Sequence, residues 1–216
     1  MSLSCQSDFV YVVFSATPYK MGRLIRCITR HAYNHVSISL DPNLQKLYSF
    51  ARYYENTPLY GGFVHESLLR YQHNGMQTPI KVCAIPVTPR QKQAIASLIL
   101  HFKLHAGEYI YDMLSALLTP FKKRLFIRNA YTCVDFASVV LSVADIRLKD
   151  NHYCNLPTLE QLVTRYMIFE GESTAYSRGK SWGNDRYLLH KSMSLYVGAT
   201  VSHYSRLLYR LIRSYS

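Results

Sequence analysis

Asn129-Ala130-Tyr131-Thr132-Cys133-Val134-Asp135-Phe136 is the passage from which the fold can be read. From Phe136, the residues Val139, Val140 and Val143 recur at i, i+3, i+4, i+7, so a helix begins here with Thr132 as its N-cap. Cys133 then lies in the first turn. A thiol there sits beside free N–H groups at the positive end of the helix dipole, which favours the thiolate. Among the five cysteines only Cys133 has this position, and Asp135 adds a first-turn charge that suits the same dipole.

Outward from this helix, Phe9 to Phe14 is β-branched and aromatic and reads as a buried strand. Lys20 to His31 places Leu24, Ile25 and Ile28 at helical spacing among arginines, a short amphipathic helix. His35-Val36-Ser37-Ile38-Ser39-Leu40 alternates with period two, Asp41-Pro42-Asn43 supplies a turn, and Lys46 to Phe50 resumes an extended pattern, which makes a hairpin. Gly61-Gly62 reads as a bend beside the groove. Pro79 to Val87 is a further strand, Arg90 to His105 a helix ended by Gly107, Pro157 to Val163 a short helix and Arg165 to Phe169 a last strand. The order β-α-β-β-β-α-α-α-β predicts an α+β fold. Gly171 to Asp185 is rich in Gly, Ser and Asn and reads as a linker, and Arg186 to Arg213 as one or two basic amphipathic helices.

The 216 residues carry 25 Lys+Arg against 13 Asp+Glu, a formal charge of +12. Residues 1–172 hold 18 basic and 12 acidic groups and residues 173–216 hold 7 and 1, so half of the excess sits in the last fifth of the chain. The charge therefore belongs to the tail and to one cluster, Lys122-Lys123-Arg124 with Arg128, which reads as recognition of an anionic substrate more than as a nucleic-acid groove. No apolar run approaches the roughly 20 residues of a membrane span, and Met1 to Asp8 has no basic region leading into a cleavable apolar stretch. With no CxxC pair and an odd number of cysteines, reduced thiols and a cytoplasmic location are expected.

On residue types alone a cysteine in a valine-rich helix reads more readily as a small core residue, and His35 as an ordinary hydrogen-bonded one. His31 and His35 are four apart, but no nearby Cys or carboxylate completes a zinc set, so no metal or cofactor is expected. The ordered set Asn34 to Leu40, Leu47-Tyr48-Ser49-Phe50-Ala51-Arg52, Gly61-Gly62-Phe63-Val64 and Tyr131 to Phe136 resembles the circularly permuted branch of the NlpC-type papain-like superfamily, akin to YiiX proteins and lecithin:retinol acyltransferase. The resemblance covers residues 9 to 172, with histidine before cysteine as the permuted branch requires.

The resemblance implies a permuted papain-like domain over residues 1–172 and says nothing of the rest, where composition and pattern predict a linker over 173–185 and a basic helical extension over 186–216. It implies a hydrolase or acyltransferase of amide or ester bonds, acting on a small-molecule, peptide or lipid substrate through an acyl-enzyme. Cys133 would be the nucleophile, His35 the base and Ser49 the orienting residue on the next strand, with Thr132, Tyr131 and Tyr11 near the oxyanion. A catalytically weak binding or regulatory module of the same fold is the alternative. In Tyr204 to Arg213, Leu207, Leu208, Leu211 and Ile212 share one side and Arg206, Arg210 and Arg213 the other, either a helix packed on the core or one attracted to an anionic membrane.

Overall fold

Asp8–Ser15 (β1) is almost continuously apolar because both of its faces are covered: Val10, Val12 and Phe14 are buried on one side, Tyr11 and Val13 on the other. The computed structural model describes residues 8–55, 57, 60–72, 77–121, 123–146, 154–176, 185–189 and 192–215. After β1 come α1 (Lys20–Thr29), β2 (His35–Ser39), β3 (Leu47–Arg52), β4 (Gly61–Glu66), β5 (Pro79–Val87) and α2 (Pro89–Leu104). They are followed by β6 (Ile110–Tyr111), α3 (Met113–Leu118), β7 (Ala130–Tyr131), α4 (Cys133–Val143), α5 (Leu156–Val163), β8 (Met167–Glu172), α6 (Ser173–Tyr176) and α7 (Met193–Tyr215). The fold is α+β. Six strands form one antiparallel sheet in the order β4-β3-β2-β1-β5-β8, and β6 and β7 pair separately in parallel.

One face of the sheet receives α4 and α2. Both helices begin with a capping box, Thr132 with Asp135 and Thr88 with Gln91, which satisfies N–H groups that the first turn would leave bare. Their apolar stripes meet β3 and β4 in an aromatic cluster. Phe136 lies 5.9 Å from Phe50 and 5.4 Å from Phe63 between ring centroids, and Phe102 packs edge-on to both Phe136 and Tyr131. Burying each such ring contributes roughly 1.5–3 kcal/mol, so the start of α4 is held firmly over the sheet.

Several elements depart from the expected order. Gly61-Gly62 is the start of β4, paired with Arg52 and Ala51, instead of a bend. The strands approach so closely there that a Cβ on Gly61 would run into the Ala51 carbonyl, which is why glycine is needed. The last strand begins at Met167 after a 3-10 turn over Thr164–Tyr166, and lies on the sheet edge.

The stretch expected as a linker is packed at both described ends: Ser173 is buried in α6, and Asp185 is 4% exposed. Residues 177–184 lie outside the described residues. Beyond a 3-10 turn at Arg186–Leu188, α7 is a single helix. Its leucine side is split, with Leu207 buried against Ile110, Ile127 and Ala130 and Leu208 and Ile212 exposed. Its arginines lie on the surface, Arg206 and Arg213 exposed and Arg210 half-buried, and two of them reach back to the core: Arg206 donates to the Gly107 carbonyl at 2.6 Å, and Arg210 to those of Glu108 at 2.9 Å and Asn129 at 3.2 Å. Among the described residues no helix is long and apolar enough to cross a membrane.

Candidate active site

Thr132 ends β7 in an extended conformation and caps α4, so Cys133 is the first residue of the helix. The Asp135 amide donates to Thr132 Oγ1 at 3.2 Å, while Asp135 Oδ2 accepts from the Thr132 amide and hydroxyl, both at 2.8 Å. The box leaves the Cys133 and Val134 N–H groups free to serve an anion at the helix start. Cys133 itself is 7% exposed.

His35 opens β2 at the end of the sheet over which α4 begins, and is 8% exposed. Its Nε2 meets Glu66 Oε1 at 3.0 Å and Oε2 at 3.2 Å, and Cys133 is the other side chain close enough to raise the imidazole. Burial by itself depresses the imidazole, but the Glu66 carboxylate and the bond to Cys133 outweigh it and push His35 up to about 10. Glu66 responds in the opposite sense. Burial would raise its carboxyl, yet His35 and Arg70 hold it down at about 2. Glu66 Oε2 also accepts from Tyr71 at 2.7 Å and Ser37 at 3.1 Å, so the carboxylate is fixed on several sides.

Glu66, and not Ser49, thus meets the imidazole. Ser49 is fully buried on β3 and donates to the Val36 carbonyl at 2.9 Å, tying two strands together away from the imidazole. Tyr11 is also displaced from its expected place. It projects into the core on the face opposite Cys133, among Val13, Leu44 and Leu47. Tyr131 packs against Phe50 at 5.2 Å between ring centroids, the rings tilted by 31°. The tyrosine that does stand at the site is its partner across the β6–β7 pair, Tyr111, which lines the cavities on both sides of the dyad. Burial, then the charge of Cys133, holds the Tyr111 hydroxyl well above its usual range, so it remains a donor.

These two cavities share walls at Ile25, Asn34, Tyr111 and Ala116; one includes Cys133 and the other His35. Arg124 borders the first, but its guanidinium is paired with Asp135 Oδ1 at 2.8 Å. Arg124 and Arg128 together line another hollow with Arg210 and Arg213, Lys123 is exposed, and Lys122 lies outside the described residues, so among the described members of the basic cluster only Arg124 borders the cavity of Cys133. His31 pairs with Glu160 at 2.7 Å and is not joined to His35. Of the other described cysteines, burial pushes Cys83 up to about 12 and also raises Cys154, while Cys27 is exposed on α1.

Glu66 was missed because the glycines before it read as a bend, which hid the strand that carries it. Its one local signal is the aromatic and β-branched pair Phe63-Val64 just before it. In comparisons with known proteins, no family model, curated protein or solved structure matches the chain.

Proposed function

We propose that the chain is a cysteine hydrolase or acyltransferase of the permuted papain-like kind, acting on amide or ester bonds. One observation carries the reading: a first-turn cysteine meets a histidine whose Nε2 is held by a buried carboxylate. A carboxylate stabilises imidazolium better than the expected serine would, so His35 rests protonated beside Cys133. Cys133 Sγ attacks the carbonyl carbon and the C=O electron pair moves to oxygen, beside the Cys133 amide. As the tetrahedral species collapses, the C–N or C–O bond breaks and the leaving atom takes the His35 proton. In the second half His35 removes a proton from water or an amine, whose oxygen or nitrogen attacks the thioester carbonyl; the C–S bond breaks with its electron pair on the Cys133 sulfur, and the proton held by His35 restores the starting pair.

The reading is tested by intact-mass detection of an acyl adduct from activated ester probes. The adduct is expected on the native chain and absent from Cys133→Ser; a folded native chain that forms none refutes the hydrolase. The binding-module reading is favoured by the low exposure of Cys133 and His35, and that second result would select it.

An anionic membrane contact through residues 186–216 is also proposed. Met193, Val197, Val201, Leu208 and Ile212 form an exposed stripe along α7, beside the exposed Arg213. Co-sedimentation with phosphatidylserine vesicles should weaken when Val201 and Leu208 become serine; unchanged binding refutes this contact.

A further inference from the structure

The buried carboxylate of the dyad does not stand alone. Arg70, on the 3-10 turn Leu68–Tyr71, is 4% exposed and places Nη1 3.3 Å from Glu66 Oε1. A cation in that place competes with His35 for the carboxylate, and by itself would weaken the hold of Glu66 on the imidazolium. What opposes it comes from beyond the sheet. Asp185 receives Arg70 Nη2 on Oδ1 at 2.8 Å and Arg70 Nε on Oδ2 at 3.1 Å, a forked pair. The remaining acceptor capacity of Asp185 is filled by the Ser67 amide at 2.8 Å and the Tyr187 amide at 2.9 Å, and the Arg70 guanidinium lies 4.4 Å from the Tyr187 ring centroid.

We infer that Asp185 is a positioning residue of the active site: it holds and neutralises Arg70, leaving Glu66 aimed at His35 with its charge uncancelled. The segment after residue 172 is then part of the catalytic apparatus. This rests on the reading of Cys133 as nucleophile and of His35 as its protonated partner. The charged and titratable groups around His35 are Glu66 from β4, Cys133 from α4, Arg70 and Tyr71 through Glu66, Tyr111 of β6 beside Cys133, and Arg52 of β3 with Tyr19 and Tyr187, which line the same cavity as His35.

The test follows alkylation of Cys133 by iodoacetate against pH, read by mass spectrometry, with iodoacetamide as the uncharged reference. Iodoacetate is an anion drawn to imidazolium, so its rate relative to iodoacetamide falls where His35 loses its proton. Asp185→Asn leaves Arg70 unopposed and should move that alkaline limb down by about one pH unit, a tenfold change in the protonation equilibrium. Arg70→Met/Asp185→Asn removes the nearer cation together with its partner, and should place the limb at or above the native position. Replacing a buried ion pair as a unit is well tolerated, so the double variant decides the matter if the single one does not fold.

Mere loosening of the structure would shift both variants the same way. An unmoved limb in Asp185→Asn, or a lowered limb in the double variant, overturns the inference. A native chain in which iodoacetate gains nothing over iodoacetamide at any pH refutes the dyad itself, a result distinct from either.

Discussion

The aromatic cluster between α4, α2 and the sheet and the charged cluster behind His35 are both buried, yet they are assembled on different principles. Phe50, Phe63, Phe102 and Phe136 need only be apolar and large, and neighbours can adjust around any one of them. His35, Glu66, Arg70 and Asp185 must each meet a named atom of the next, and removal of any member strands a charge. The first cluster supplies rigidity and the second sets protonation. Perturbing each in turn should therefore separate stability from reactivity.

Glu66→Ala should have the largest effect, because it leaves Arg70 without one of its two carboxylates and His35 without its orienting partner. A loss of about 3–5 kcal/mol in denaturant unfolding is expected together with loss of the rapid iodoacetate reaction at Cys133. Phe102→Ala should cost a similar 3–5 kcal/mol or so, but the folded protein should keep the native pH profile of alkylation. If that profile moved as far as in Glu66→Ala, the division between the two clusters would fail.

The pH dependence of stability comes next. Glu66 is held near 2 against an ordinary 4.5, so its contribution is present above about 4.5 and is lost as pH falls towards 2. His35 is raised to about 10 from 6.5, so its contribution is complete below about 6.5 and is lost as pH rises towards 10. Urea midpoints should peak between those limits, and Phe102→Ala should lower the curve without displacing the peak. The smallest change is Ser49→Ala, with a loss of about 1 kcal/mol for the hydrogen bond to Val36 and no effect on alkylation. A slowed reaction there would return Ser49 to the site.

The legibility of the two clusters in the sequence follows the same division. Local signals were enough for α4, because Thr132 and Asp135 flank a helical apolar repeat, and for β1 and β5, because β-branched runs admit little else. Cys133 and His35 could be selected only through the ordered motifs that carry the resemblance, since on residue types alone they read as a core cysteine and an ordinary histidine. Glu66 could not, since which strand lies beside β3 depends on pairing, and the glycines that permit a close approach at Gly61 are the same residues that mark bends elsewhere. Asp185 was hidden further still. Glycine, serine and asparagine around it describe a chain with little apolar content to bury, whereas its own burial depends on one guanidinium 115 positions away.

That separation has a kinetic consequence. The Arg70–Asp185 pair closes a loop spanning more than half of the chain, and contacts so distant in sequence carry a large closure entropy and form slowly. The aromatic packing of α4 on β3 and β4 can be complete before that loop closes. In refolding, fluorescence from the buried tyrosines should therefore recover first, and fast alkylation of Cys133 only after a lag. The last contact to form would be the one that switches the thiol on.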